Sequence, residues 1–238
     1  MLLQILLFPL ASMLQQTLGQ INKGIVADIS ENQEKEIIEK HNEIRRHVQP
    51  TASNMMKMEW STKASESAKK SVEKCRGTVS PKDELFVDGT FCIQIVLQSK
   101  QVSSWSDTIQ VWNNTGVSFK YGIGATDPKN DISVYTQLVW HNSNQVGCAL
   151  ALCPMNKFSY FYLCNYCPAG NIVSQLKKPY KEGPPCGDCP KSCENKLCSS
   201  SCSYVDVLNN CDMMLQLFQG CNSKMVKDYC QATCNCGR

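Results

Sequence analysis

The chain has 238 residues, a formal net charge of +3 and a sequence pI of about 8.1, a balance too mild for nucleic-acid recognition or for strong attraction to anionic lipid. That length holds one domain of ordinary size and a smaller satellite. Sixteen cysteines, ten of them within residues 186–238, argue against a reducing compartment and for a disulfide framework.

In chain order, residues 2–14 are a nearly uncharged apolar stretch followed by Thr17, Gly19 and Gln20, the pattern of a secretory signal peptide over residues 1–19. The run is short for the ~20 apolar residues of a membrane span, and no later stretch is longer, so stable membrane insertion is not expected. Ser30 with Gln33 three residues on reads as a helix start, and Ile37, His41, Ile44 and Val48 recur at helical spacing until Pro50 stops the pattern. Met56, Met58 and Trp60 alternate, and Ser61 then opens a second amphipathic helix through Ala64, Ala68, Val72 and Cys75. A third begins at Ser103 or Ser104 and carries Trp105, Ile109 and Trp112 on one side. The sequon Asn113-Asn114-Thr115 follows, an acceptor for an N-linked sugar in an exported chain.

Residues 91–97, 135–140, 147–152 and 158–164 are short, rich in β-branched and aromatic side chains, and bounded by turn formers, so all four are expected to be strands. The last two form a hairpin across Pro154, Asn156 and Lys157. Three helices around a short antiparallel sheet make an α+β domain, expected as a three-layer stack. Residues 177–185 are a proline-rich, polar connector. Residues 186–238 are too few to bury a sufficient core and rely on their ten cysteines. Met214, Leu215 and Phe218, then Met225, Val226 and Tyr229, suggest two short helices there.

Phe161-Tyr162-Leu163-Cys164-Asn165-Tyr166-Cys167-Pro168-Ala169-Gly170-Asn171-Ile172 resembles the second signature of the cysteine-rich secretory protein family, whose N-terminal domain belongs to the wider CAP superfamily. Tyr135-Thr136-Gln137-Leu138-Val139-Trp140 resembles the first signature, and His41-Asn42-Glu43-Ile44-Arg45-Arg46 the family's first helix. The resemblance covers essentially the whole mature chain. It implies a CAP α-β-α sandwich over residues 20–175, a linker and disulfide hinge over 176–200, and a cysteine-rich module over 201–238 similar to sea-anemone potassium-channel toxins. It also implies the bridges Cys75–Cys153, Cys92–Cys167, Cys148–Cys164, Cys186–Cys193, Cys189–Cys198, Cys202–Cys236, Cys211–Cys230 and Cys221–Cys234.

In several members of that family a cleft holds two histidines and two glutamates that bind zinc. Counting from the flanking cysteines and motifs, those positions here are Val79, Gln94, Thr115 and Val134. Valine has no lone pair, and an amide is a poor zinc ligand and no base near neutral pH. The expectation is therefore a cleft with no metal, no cofactor and no catalysis, left more apolar and so open to a sterol or fatty acid as the alternative role. Thr115 replaces the acid and at the same time completes the sequon, which sets Asn113 near the cleft's rim.

Of the three histidines, His41 reads as a packed core residue and His47 and His141 as surface residues. Cys164-x-x-Cys167 and the cysteines from Cys186 to Cys198 read as structural disulfides before redox or zinc motifs. Within the aromatic cluster Phe158, Tyr160, Phe161, Tyr162 and Tyr166, alternation sends about half to the core. The resemblance associates the second signature with the egg surface, so Phe161, Tyr162, Asn165, Tyr166 and Asn171 are candidate partner contacts. Lys224, Lys227 and Tyr229 are the corresponding candidates in the C-terminal module. Its toxin-like relatives set a lysine beside a tyrosine, whereas Asp228 separates Lys227 from Tyr229 here, and residues 186–238 balance five basic against five acidic side chains. Direct pore plugging is therefore not expected. The resemblance implies a secreted, non-enzymatic binding protein acting on cell-surface proteins or ion channels, at the sperm surface, acrosome or egg, or as a venom-type modulator.

Overall fold

The computed structural model describes residues 23–199, 204, 206–208 and 210–236. The expected signal segment and the expected Cys202–Cys236 bridge lie outside the described residues.

The first helix, α1 (Glu31–Arg46), starts because Ser30 accepts from the backbone N–H of Gln33 while Gln33 reaches back to the Ser30 N–H. This satisfies two donors that a helix start otherwise leaves open. α2 (Thr62–Val72) starts at Ser61, whose side chain accepts from Ala64 N–H, and α3 (Trp105–Asn114) at Ser104, whose hydroxyl accepts from Asp107 N–H at 3.0 Å. A short fourth helix, α4 (Ser133–Leu138), occupies most of residues 135–140. The strand expected there is corrected: Thr136 Oγ1 donates at 2.7 Å to Asn171 Oδ1, and the Asn171 amide donates at 2.7 Å to Ser133 O. Contacts with residues distant in sequence thus hold the segment helical, an influence that periodicity in a short apolar run does not reveal.

The central sheet runs β1 (Ile25–Ala27), β8 (Gln145–Leu152), β9 (Tyr160–Cys167) and β5 (Ile93–Ser99) as antiparallel neighbours. β2 (Glu59–Trp60) adds to β8 in parallel, so the sheet is mixed, while β3 (Phe86–Val87) with β4 (Thr90–Phe91), and β6 (Phe119–Lys120) with β7 (Gly124–Ala125), form two small antiparallel ladders outside it. β1 and the parallel pairing of β2 are additions to the sequence reading. β8 and β9 form the expected hairpin, with Cys148 opposite Cys164 and joined to it.

The period-two geometry of strands explains the layers. Val146, Cys148, Tyr162, Cys164 and Tyr166 point into one cluster with Ile37 and Ile44 of α1, Trp105, Ile109 and Trp112 of α3, and Leu138 of α4. The alternate residues Ala149, Ala151, Phe161 and Leu163 point the other way, onto Ala68 and Val72 of α2. Each buried tryptophan removes ~150–250 Å² from water, so Trp105 and Trp112 anchor the first cluster. Gly147 allows α2 to approach closely, since a Cβ there would sit 2.1 Å from Ser65 N. The result is the expected α+β three-layer sandwich, followed by a disulfide-rich C-terminal region.

Arg45 ties the α1 layer together. Its guanidinium is 1% exposed and donates to Met56 O at 2.8 Å, Leu138 O and Trp140 O at 2.9 Å each, and His141 O at 3.0 Å. Burial lowers its pKa to about 9, so it remains charged at neutral pH.

Residues after 176 do not leave the sandwich at once. Tyr180 is 2% exposed and packs in the larger core cluster. Ser53 N–H donates to Lys181 O, Asp188 N–H to Ser53 O, and Cys198 N–H to Met55 O. Lys57 bonds Glu194 at 2.7 Å. Beyond this, α5 (Cys211–Leu217) and α6 (Lys224–Tyr229) are the two short helices read from the sequence, and α7 (Gln231–Cys236) is a third that was not.

Candidate functional site

The four residues expected at a cleft, Val79, Gln94, Thr115 and Val134, lie on different elements. Val79, in the segment after α2, is 55% exposed. Gln94 is the second residue of β5 and is 5% exposed, with its side chain committed on both ends. Its carbonyl accepts from Ser80 N–H at 2.8 Å, and its amide donates to Ser71 Oγ at 3.1 Å. Ser80 Oγ donates to Ser71 Oγ at 3.0 Å, and Arg76 reaches Ser80 Oγ at 3.2 Å. A neutral amide and two hydroxyls therefore fasten the segment after α2 to the sheet. Beside them Arg76 and Lys74 bond Glu84, holding its carboxyl down at about 2.

Thr115 caps the C-terminus of α3 and spends its hydroxyl on Trp112 O at 2.8 Å. Val134, on α4, is partly buried against the larger core cluster. None of the four side chains offers zinc an imidazole, thiolate or carboxylate, and the two that carry oxygen are already hydrogen-bonded within the fold. Among the described residues no group of three or more His, Cys, Asp or Glu side chains could hold a metal ion.

A groove of about 360 Å³ opens between α1 and α3. Its walls carry Lys40, Glu43 and His47 from α1 and its end, Gln110 and Asn113 from α3, and Tyr135 from α4. The sequence reading placed Asn113 near a cleft but did not assemble this groove. The available signal was spacing, since residues 40, 43 and 47 share one face of a helix and 110 and 113 share another.

His41 is fully buried, as expected of a core histidine, and desolvation drives its pKa down to about 4. Its neighbour Tyr166, equally buried, is held well above the ordinary tyrosine range by the same cause.

The candidate contact residues separate into two groups. Phe161, Tyr162, Asn165 and Tyr166 are at most 2% exposed, so their assignment as partner surface is corrected: helices cover both faces of β9, leaving these side chains nothing to present. Asn171 is half-buried, with its amide spent on α4. Lys224, Lys227 and Tyr229 are exposed on α6. In the same module Met213 and Leu217 of α5, Phe218 just after it, and Met225 of α6 are also exposed. The bridges Cys211–Cys230 and Cys221–Cys234 hold these helices, Cys186–Cys193 and Cys189–Cys198 hold the hinge, and Cys75–Cys153 and Cys92–Cys167 join Cys148–Cys164 in the sandwich. No helix among the described residues is long and apolar enough to cross a membrane.

A family model described as "Cysteine-rich secretory protein family" matches residues 38–166, and a second, Crisp, matches residues 186–238. Among solved structures, the chain is similar to Na-ASP-1 at 23% identity and a TM-score of 0.61, over 73% of this chain and 48% of that one. It thus spans about half the length of that relative. It is also similar to NaASP2, solved with Zn2+, at 23% identity and a TM-score of 0.57, over 72% of this chain and 97% of that one. A venom allergen-like protein 4 of Schistosoma mansoni aligns at 20% identity and a TM-score of 0.54, over 68% and 100%. These three likenesses establish the fold.

Proposed function

The chain belongs to the cysteine-rich secretory protein family of the CAP superfamily, and from that premise we propose that it is a secreted, non-enzymatic binding protein that modulates an ion channel at a cell surface. The family generally lacks an established catalytic activity, and its Crisp domain is associated with ion-channel regulation. We propose further that Val79, Gln94, Thr115 and Val134 are the family's zinc-site positions with their ligands replaced. The division into residues 20–175, 176–200 and 201–238 goes with this reading. Sperm is the proposed target cell, with maturation or gamete contact as the outcome, and the sperm surface or acrosome as the location.

The observation that carries the reading is the set of exposed apolar side chains in the C-terminal module. Met213 and Leu217 lie one turn apart on α5, as do Met225 and Tyr229 on α6, and all four are between 45% and 69% exposed. A small module that keeps large apolar side chains in water, on helices locked by disulfides, has the composition of a docking surface. Lys224 and Lys227 border it. The carrier reading is the weaker of the two, because the buried Gln94 side chain is held by hydrogen bonds at both ends and the α1–α3 groove sets Lys40, Glu43, His47, Gln110 and Asn113 beside its few apolar side chains.

The test is calcium flux and patch-clamp recording on sperm exposed to the purified full chain. The double variant Leu217→Asp with Met225→Asp is expected to lose the response at least tenfold, while Lys227→Ala retains most of it. A folded double variant with full effect would overturn the reading. Strong dependence on Lys227 alone would point back to pore plugging.

A further inference from the structure

The groove between α1 and α3 has an occupant supplied by the chain itself: we propose that the first sugar of an Asn113-linked glycan seats in it and closes it to free ligands. The proposal rests on the export reading above.

Asn113 lies in the last turn of α3 and is itself part of the groove wall, so a sugar bonded to its Nδ2 begins at the groove. Its side chain takes no hydrogen-bond partner among the described residues, whereas its neighbour Asn114 accepts from Gln110 Nε2 at 2.8 Å. The sequon hydroxyl of Thr115 points back to Trp112 O and leaves the Asn113 amide clear. The linkage forms when the Asn113 amide nitrogen displaces the diphosphate of a lipid-linked oligosaccharide. The C1–N bond forms, the C1–O bond breaks with its electron pair leaving on the diphosphate, and the amide proton goes to a base.

The walls suit an N-acetylhexosamine. Such a sugar has hydroxyls and an acetamide around its edge and C–H groups on its faces. Lys40, Glu43, His47 and Gln110 offer donors and acceptors for the edge. Ile44, Val48 and Tyr135 offer apolar surface for a face. Because the sugar is tethered, contacts too weak to hold a free saccharide suffice, since seating is intramolecular. A groove with a covalent occupant is not a vestibule for other ligands, and trimming or omitting the glycan would then switch its availability.

The test uses the full chain secreted from mammalian cells restricted to high-mannose glycans, in three forms: intact, trimmed to a single N-acetylglucosamine, and sugar-free after amidase release. Diethyl pyrocarbonate labelling of His47, which lines the groove, is compared with that of His141, which does not. The expected result is at least fivefold slower labelling of His47 in both glycosylated forms than in the sugar-free form, with His141 unchanged. The Thr115→Ala variant, sugar-free with Asn113 intact, is expected to match the released form and controls for the aspartate that release leaves behind. Equal His47 rates in all forms, or protection only by the full glycan, would overturn the seat. A secreted chain with bare Asn113 overturns the seat and leaves the export reading standing, whereas a chain that is not secreted overturns both.

Discussion

The imidazole Nε2 of His41 lies 2.9 Å from the hydroxyl of Tyr166, and its Nδ1 lies 2.7 Å from Ile37 O. A carbonyl only accepts, so Nδ1 carries the proton, and Nε2 accepts from the tyrosine. The pair is neutral and buried, and Arg45 nearby further disfavours a second positive charge. An added proton would break the Tyr166 bond as donated and place an uncompensated charge in the α1 layer.

From this follows a pH dependence of stability. The folded-state pKa of His41 is about 4, below the ordinary 6.5, so the unfolded chain binds the proton more readily. The contribution is fully present above pH 6.5 and is lost as pH falls toward 4. The loss approaches about 3 kcal/mol, given ~1.4 kcal/mol per unit. Urea unfolding between pH 7.5 and 4 with disulfides intact measures it. A His41→Gln variant should show a flatter profile over the same window, and an equally steep one would assign the effect to another group.

Arg45 makes a second prediction. Removing it leaves the carbonyls of Met56, Leu138, Trp140 and His141 without their common donor. Each stranded acceptor costs ~1–3 kcal/mol when water cannot replace the donor. Arg45→Ala is therefore expected to lower stability by more than about 3 kcal/mol. Arg45→Lys should recover only part, because one ammonium cannot span four diverging carbonyls as a planar fork does. Thermal melting of both variants decides the ranking.

The donor chemistry at the cleft gives a third. The purified chain is expected to bind no stoichiometric zinc at residues 79, 94, 115 and 134. The fourfold variant Val79→His, Gln94→Glu, Thr115→Glu and Val134→His should gain it. Metal analysis after equilibration at micromolar zinc distinguishes the two, and metal in the unaltered chain that disappears with Gln94→Ala would contradict the expectation. Because Gln94 also fastens Ser80 and Ser71, the fourfold variant should gain metal at some cost in stability without it.

Much of the fold was legible locally. The caps at Ser30, Ser61 and Ser104 are short-range hydrogen bonds written in neighbouring residues, and α1, α2 and α3 begin where those residues stand. The β8–β9 hairpin was equally plain, since its loop and both strands adjoin in sequence. Residues 135–140 point to a strand by composition, yet a six-residue stretch rich in aromatic and β-branched side chains fits either period, and the bond that decides it comes from Asn171, 35 positions away from Thr136. β1 was missed because three residues carry no periodic signal until β8 lies beside them.

By itself the sequence determined what its chemistry contains: sixteen cysteines, the starts of three helices, a sequon, and at residues 79, 94, 115 and 134 no side chain suited to zinc. Only the tertiary structure decided which side chains meet water. The second signature read as a contact surface, yet Phe161, Tyr162, Asn165 and Tyr166 are enclosed because α2 covers one face of β9 while α1 and α3 cover the other. The exposure of apolar side chains on α5 and α6, and the groove that brings Asn113 together with Lys40 and His47, are likewise decided only once distant segments have packed. Composition lists the groups, and burial, a property of the whole chain, selects those left to act.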